Sequence, residues 1–552
     1  MMRIERTSLL LLTSPRRGVR FNLVIAWTVL LVSMLFPIPS RAAVQTWTRW
    51  EQVLTSTKAY ANPSADVTLK VTYRGPEQET ITGPGFWDGS NTFKLRCLFP
   101  KAGRWTWQTI CSDSNNTGLH RQSGSVEVQP YPGANPLYRH GYLRVATNHR
   151  HVTHADGTPF LWIGDTAWAA PMNATMEDWQ TYVRDRASKK FTILQVFPAS
   201  DWAGTNDWQG NAPFVGEGLA RINPAYWQQY ERKVQFANEQ GLAVVVMGLM
   251  EPVKRYPDAP SAQQFSRHLV ARLMGNFVVF SPSFDSPYKE LGDTVGQTVR
   301  ESSSIHLITQ HPGTDLPAAQ TYHPKPYLDI CGLQSGAGWG GNPLSAETVA
   351  RNAIEWSLDL YRRQPPKPVI NLEARYDSEF GEKQLARLPR SCGYWSLLSG
   401  CAGYTYGCAG VWNWGLTVTH GDPQASLWDW RRGMNHPSST EMKHMATFFA
   451  ELEWWTLEPH PELIQNQSSD WTKRMVLAKS AKGDLAVAYL PDNESIRIDL
   501  SAFPSRMRCR WFNPKTGESQ AAAASTDSSG PTSFARPQGW EDALLVLRHP
   551  KP

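Results

Sequence analysis

The chain reads as an α/β protein, a (β/α)8 TIM barrel flanked by two all-β sandwich domains. Three observations predict this. Eight short apolar runs recur between Phe160 and Gly415, most of them separated by stretches with helical periodicity. Regular strand–helix alternation of that kind marks a barrel whose site gathers at the C-terminal strand ends. The stretch before it alternates with period two, and the stretch after it returns to short strands between Gly, Asp and Pro turns. At 552 residues the chain also exceeds the ~250 of a single barrel, which leaves room for a modest domain on each side.

Residues 1–42 have the pattern of a signal peptide. Arg3, Arg6, Arg16, Arg17 and Arg20 precede an apolar run from Phe21 to Phe36. Pro37 and Pro39 then break the chain before Ser40-Arg41-Ala42, a small-x-small cleavage pattern. The run falls short of the ~20 residues of a spanning helix, and an uncleaved anchor is the alternative. The Arg16-Arg17 pair alone is a weak twin-arginine signal. No membrane span is expected in the mature chain. The expectation is an exported protein, whether periplasmic, secreted or held at the cell surface.

Residues 44–130 read as an Ig-like β-sandwich. Val67–Tyr73 and Thr92–Phe99 alternate, Pro100–Gly103 turns, and Arg104–Thr109 and Gly124–Val128 complete it. Pro130, Pro132, Gly133 and Pro136 form a linker, and a hairpin turning at Asp156-Gly157 leads into the barrel over residues 140–445. Its apolar runs are Phe160–Trp168, Phe191–Ser200, Leu242–Met250, Phe277–Asp285, His306–Pro312, Leu328–Gly336, Pro368–Asp377 and Cys401–Gly415. Asn223-Pro224, Ser261 and Ser345 open well-marked helices. The fifth unit around Pro317 is poor in helix signals, and a last helix is expected from Ser438 to Trp455. The tail, residues 446–552, reads as a second sandwich built from Met475–Ala478, Leu485–Leu490, Ser495–Leu500, Met507–Phe512 and Ala543–Leu547, with a low-complexity loop at Ala521–Gly530.

Composition narrows the function. The net charge of +6 includes the basic N-terminus, and no dense Lys/Arg run follows it, so nucleic-acid binding has no support. The 24 tryptophans suit cores and ligand surfaces alike. Seven cysteines are an odd number for an exported chain. Disulfides are allowed between Cys97 and Cys111 and within Cys392, Cys401 and Cys408. No Cys or His spacing suggests zinc, and neither a metal nor a cofactor is expected. Oligomeric state is not legible.

Two runs end in carboxylates. Asp285 closes the fourth and Glu373 lies in the seventh, so both fall at one barrel mouth, an arrangement that suits cleavage of a glycosidic bond in a polysaccharide or oligosaccharide. Asp165, at the end of the first run, is placed either to bind sugar hydroxyls or to orient its own loop. Trp168, Trp202, Trp208, Trp339 and Trp412 fall at or beyond strand ends, where an indole either stacks on a sugar or packs a loop. His311 and Gln334 sit where polar groups reach the mouth, and Tyr406 is within reach of the Glu373 carboxylate. Each also has a purely structural alternative as a satisfied buried hydrogen-bonding group. Asp201, Asp207 and Glu251 are reserve acids.

Several ordered motifs resemble the apiosidase-like glycoside hydrolases. They are Gly157-Thr-Pro-Phe-Leu-Trp-Ile-Gly-Asp-Thr-Ala-Trp168, His306-Leu-Ile-Thr-Gln-His-Pro312, Leu333-Gln-Ser-Gly336, Lys367-Pro-Val-Ile-Asn-Leu-Glu-Ala-Arg-Tyr376 and Gly403-Tyr-Thr-Tyr-Gly407. Gly85-Phe-Trp-Asp-Gly89 with Gly103-Arg-Trp-Thr-Trp107 is similar to that family's N-terminal domain. Trp454-Trp455, Tyr489-Leu-Pro491 and Trp511-Phe-Asn-Pro-Lys-Thr-Gly517 are similar to its C-terminal domain, provisionally labelled collagen-binding. The resemblance implies that Asp285 is the acid/base and Glu373 the nucleophile of a retaining glycosidase, with apiose release from a pectin as the characterised activity. One departure stands out. The family shows Gly-Gly-Asp at the fourth strand, where this chain has Ser281-Pro-Ser-Phe-Asp285. That change supports the alternative of an inactive carbohydrate-binding or surface-adhesion protein. Ser286-Pro287 also reads as the start of the next helix, whose positive end favours an ionised Asp285, whereas an acid must hold its proton.

Overall fold

Eight parallel strands line the middle of the chain: β1 (Trp162–Thr166), β2 (Ile193–Val196), β3 (Ala243–Val246), β4 (Val278–Phe280), β5 (Leu307–Ile308), β6 (Cys331–Gln334), β7 (Val369–Glu373) and β8 (Gly403–Tyr406). They come from a computed structural model that describes residues 43–200, 206–216, 221–249, 258–285, 290–336, 344–377, 387–414, 429–526 and 531–550. The segment expected to be a signal peptide lies outside the described residues. Ladder pairing runs β5-β4-β3-β2-β1-β8-β7-β6. The seam between β5 and β6 is closed by single bonds, as Ile308 O accepts from the N–H groups of Asp329 and Ile330 at 2.9 and 3.1 Å. Gly332 allows this approach, because a Cβ there would lie 2.0 Å from Gln310 O. Strands covered on both faces read as continuous apolar runs, and Ala243-Val-Val-Val246 is buried throughout.

Helices α1 (Met176–Ser188), α2 (Pro224–Glu239), α3 (Ala259–Leu273), α4 (Glu290–Ser302), α5 (Leu316–Tyr322), α6 (Ala346–Arg362), α7 (Leu388–Leu398) and α8 (Pro437–Ala450) surround them. Side-chain oxygens of Thr175, Asn223, Asp258, Asp315 and Ser345 cap α1, α2, α3, α5 and α6. Two sequence expectations change. Ser261 does not open α3; Asp258 does, by accepting from the Ser261 N–H at 2.8 Å. The unit around Pro317 does contain a helix, α5, with Asp315 as cap and the proline in its first turn, where its missing N–H costs nothing. The last helix stops at Ala450, before Trp454.

The N-terminal domain folds seven strands around a core that includes Trp50, Tyr73, Phe93, Phe99 and Trp105. Its junction with the barrel is ionic. Arg96 pairs with Glu231 of α2 at 2.6 Å, Arg272 of α3 pairs with Glu231 at 2.7 Å and with Asp88 at 2.8 Å, and both guanidinium groups are fully buried. Burial opposes the Glu231 charge, but the Arg272 and Arg96 cations hold it well below the usual carboxylate range.

The C-terminal domain stacks a six-stranded on a three-stranded sheet and buries both faces of its central strands. On Leu485–Leu490, Leu485, Val487 and Tyr489 join the barrel core, whereas Ala486, Ala488 and Leu490 join the sandwich core. Arg390 of α7 fixes the junction through Asp542 at 2.8 Å and Glu441 at 3.1 Å. The low-complexity segment contributes a short strand, Ala524–Thr526. The disulfides allowed by sequence do not form, and all seven cysteines are free. Cys97 and Cys111 lie on strands that are not neighbours, since Leu69–Arg74 and Thr80–Trp87 run between them.

Candidate active site

The carboxylates of the fourth and seventh units meet across a histidine from the fifth. Glu373 is the last residue of β7, Gln334 is the last of β6, and His311 follows β5 by a few residues. A bulge decides what Glu373 meets. The β6–β7 register runs Leu333 to Asn371 and then jumps to Gln334 opposite Glu373, skipping Leu372. A bulge beside a site re-aims side chains in this way. Gln334 Nε2 consequently donates to Glu373 Oε2 at 2.9 Å. Inside the barrel, Gln195 Nε2 crosses from β2 to donate to Leu372 O at 2.8 Å, which fixes the backbone immediately before Glu373.

His311 Nε2 lies 3.0 Å from Glu373 Oε2, and its Nδ1 lies 3.5 Å from Asp285 Oδ1. Neither contact has the alignment of a good hydrogen bond, so Asp285 Oδ1, both His311 nitrogens and Gln334 Oε1 are buried without an aligned partner among the described residues. Buried polar atoms left in that condition mark a place where chemistry, not stability, sets the arrangement. Around the imidazole, Phe284 and Trp168 place their rings at 4.9 and 5.8 Å. Burial in this apolar box works against the imidazolium, yet the contacts with Asp285 and Glu373 outweigh it and lift His311 to about 9.

Two serines just before Asp285 do structural work. Ser281 Oγ donates to Ser283 O at 2.8 Å, and Ser283 Oγ accepts the backbone N–H of His311 at 3.2 Å. They tie the end of the fourth unit to the fifth. Asp285 then turns into the site with φ +43°, in the left-handed region that Asp tolerates better than most residues. Its carboxylate therefore still meets His311.

Beneath Glu373 runs a second chain of donors. Trp168 Nε1 donates to Tyr376 OH at 2.9 Å, and Tyr376 in turn hydrogen-bonds Glu373. Since the phenolic oxygen accepts from Trp168, its one proton is the one directed at the carboxylate. Gly407 makes room, because a Cβ there would lie 2.4 Å from the Tyr376 ring. Burial pushes Glu373 above its usual range; His311 pulls it down, the charge of Asp285 adds to the rise, and Tyr376 opposes it.

Other residues expected at the mouth take structural roles. Asp165 is fully buried, its Oδ2 accepting from Tyr182 OH at 2.7 Å and from Arg186 Nε at 2.5 Å, a geometry that fits the loop-orienting alternative. Tyr406 donates to Asp377 at 3.2 Å instead of reaching Glu373. Trp168 packs against the rings of Phe197, Phe284 and His311. Trp412 is buried, with its ring 6.1 Å from that of Tyr376. Asp207, a reserve acid, accepts backbone N–H bonds from Gln209 and Asn211 at 2.9 Å each. Trp202, Trp339, Asp201 and Glu251 lie outside the described residues, as do Ser286 and Pro287. Tyr376 was not singled out by the sequence, although it ends the motif that carries Glu373. The neighbouring Arg375 donates from Nη2 to the Leu344 carbonyl.

Asp285, His311 and Glu373 each offer one atom that could bind a cation, and these atoms all lie within 4.8 Å of one another. The two ring nitrogens of His311 face different carboxylates, however, so one ion would take only one nitrogen. The geometry suits an imidazolium between two anions.

Residues 146–456 match the family model described as apiosidase-like, catalytic domain. Residues 43–112 match a domain of unknown function, and residues 459–548 match a domain provisionally described as the collagen-binding domain of a collagenase. No curated protein matches the chain. Among solved structures, a glycoside hydrolase superposes with TM-score 0.66 at 20% identity, covering 75% of this chain and 98% of that one. A family 5 glycoside hydrolase from Bacteroides vulgatus ATCC 8482 gives TM-score 0.66 at 20% identity, over 75% and 94% of the two chains. A second protein of that organism, provisionally classed as a glycoside hydrolase, gives TM-score 0.69 at 16% identity, over 92% and 100%. At these identities the likeness is one of fold.

Proposed function

Because this chain belongs to the apiosidase-like family and is a glycoside hydrolase, we propose that it removes a side-chain sugar from a polysaccharide with retention of anomeric configuration. The observation that carries this reading is the cluster of Asp285, His311 and Glu373, whose facing atoms lie within 4.8 Å of one another. Retaining enzymes hold their two carboxyl groups ~5–5.5 Å apart, whereas inverting ones leave ~6.5–9.5 Å for a water.

In the first step Glu373 attacks the anomeric carbon, forming an ester as the glycosidic C–O bond breaks. Asp285 gives its proton to the leaving oxygen. In the second step Asp285 takes a proton from water, the water oxygen bonds to the anomeric carbon, and the ester bond to Glu373 breaks. The two carboxyls are coupled. When Asp285 holds the proton, its charge no longer pushes Glu373 upward, and the His311 cation together with the donor from Tyr376 favours the ionised nucleophile. His311, charged through neutral pH, stays between them as a fixed cation.

The resemblance favours apiose in a pectin as the first sugar to test. Secretion is supported by the basic-then-apolar pattern of residues 1–42. The C-terminal domain, with both faces of its central strands occupied, suits a structural role better than collagen binding. The test is a screen of the purified protein and of Glu373→Gln on aryl glycosides, pectins, hemicelluloses and bacterial exopolysaccharides. Sugar release that depends on Glu373, with the first product in the substrate's anomeric form by NMR, is expected. Release that persists in Glu373→Gln removes the residue from the mechanism, and an inverted first product overturns retention alone.

A further inference from the structure

Among the described residues the large apolar side chains left exposed are Val53, Ile110, Trp208 and Val215, and Trp208 is the aromatic one, 42% exposed. Trp208 and Val215 share one short segment, residues 206–216, between β2 and α2. That places them on the face of the barrel where the strands end and the carboxylates sit. A single exposed apolar residue needs no explanation. This one is held on a braced support.

The backbone N–H of Trp208 donates to Met172 O at 2.8 Å, shortly after Trp168. On one side Asp207 accepts from the backbones of Gln209 and Asn211, and Gly210 N–H closes the turn onto Asp207 O at 2.8 Å. Gln229 Nε2 from α2 donates to Gln209 Oε1 at 2.6 Å. Asn211 Nδ2 contacts both Asp207 oxygens, at 3.2 and 3.0 Å, so that carboxylate is engaged within the loop. The loop that carries Trp208 is thus braced, its indole is left exposed, and the amide side chains of Gln209 and Asn211 follow it in the same turn.

We propose that Trp208 is a stacking platform for a neutral glycosyl residue of the polysaccharide, at a subsite remote from the bond that is cleaved. The C–H face of a sugar ring covers the indole, while its hydroxyl groups reach the amides of Gln209, Asn211 and Gln229. The carboxylate of Asp207 in the same turn makes the platform better suited to a neutral sugar than to a uronate. The inference rests on the glycoside hydrolase reading for the presence of a polysaccharide, but its test measures binding and not turnover.

The full chain carrying Glu373→Gln is run through native gels cast with arabinogalactan, xyloglucan or galactomannan and, separately, with polygalacturonate. Retardation in at least one neutral gel is expected. Adding Trp208→Ala should weaken it about five- to tenfold, the scale of one stacked ring, while Trp208→Phe keeps most of it. In the active protein Trp208→Ala should raise KM on the polymer and leave both kcat and aryl-glycoside hydrolysis unchanged. No retardation in any neutral gel, retardation confined to polygalacturonate, or Trp208→Ala migrating as its parent would each overturn the proposal. Failure of every substrate in the turnover screen, with Trp208-dependent retardation intact, would count against the enzyme mechanism and leave the platform standing.

Discussion

The Nε2 atom of His311 lies 3.0 Å from a carboxylate oxygen of Glu373, beside the rings of Trp168 and Phe284, and both side chains are buried. The pair is poised by opposing forces. Burial disfavours both charges and their mutual attraction restores them, so the site responds sharply to pH and to the loss of any one donor.

The contacts with Asp285 and Glu373 outweigh burial and raise His311 from the ordinary 6.5 to about 9. A group raised on folding contributes stability that is fully present below its unfolded value and is lost as pH rises through the folded one. The melting temperature should therefore decline between about pH 6.5 and 9. kcat/KM should fall over its upper part, as the cation between the carboxylates disappears. In His311→Asn both trends should flatten, with activity lower by about 10²–10³-fold at neutral pH. A basic limb unchanged in His311→Asn would assign it to another group.

Asp285→Ala should lower turnover of natural glycosides by about 10²–10⁴-fold, the usual share of general acid catalysis. Substrates with good leaving groups need little protonation, so an activated aryl glycoside should lose much less in the first step. Equal losses on both substrates would reduce Asp285 to a positional role.

Tyr376→Phe removes the donor that opposes the upward shift of Glu373. The nucleophile then ionises only at higher pH. A hydrogen bond to a charged group is worth about 1.5–3 kcal/mol, which moves the acidic limb of kcat/KM up by about one to two pH units. Since Trp168 Nε1 loses its acceptor in the same variant, Trp168→Phe should shift that limb in the same direction by a smaller amount. An acidic limb that stays in place in Tyr376→Phe would contradict the donor chain.

Arg390 is 1% exposed and binds Asp542 and Glu441 at the C-terminal junction. Removing one partner of a buried pair typically costs about 3–5 kcal/mol, so Arg390→Ala should lower stability by that order in a denaturant titration. Glu441, which burial pushes up to about 7, then loses the cation that opposes its protonation. A variant as stable as the parent would show that apolar packing alone secures the tail.

The barrel was legible because buried parallel strands are apolar along their whole length and mouth residues follow each run directly. Glu373, Asp285, His311 and Gln334 therefore appear in sequence at strand ends. What placed Gln334 against Glu373 was a one-residue bulge at Leu372, which no hydrophobic pattern records. Asp165 looked like a mouth residue because its partner, Arg186, lies on the next helix, and a pairing at that separation leaves no periodic trace. Helix α5 was missed because Leu316–Tyr322 is too short for a 3.6-residue repeat to be read. The exposure of Trp208 was equally invisible, since tryptophan is usually part of a core.

The buried charges around Glu231 have a thermodynamic consequence. Arg96 belongs to the N-terminal domain, and Glu231 and Arg272 to α2 and α3 of the barrel, so parting that domain from the barrel breaks a buried ion pair and uncovers charges that the junction shields. The C-terminal junction is built on the same principle, and Val44–Pro552 forms one contact unit. Melting of one domain costs its neighbour a buried ion pair, which couples the unfolding of the domains. Calorimetry should accordingly show one cooperative endotherm for the three domains, with a van't Hoff enthalpy matching the whole chain rather than any one of them.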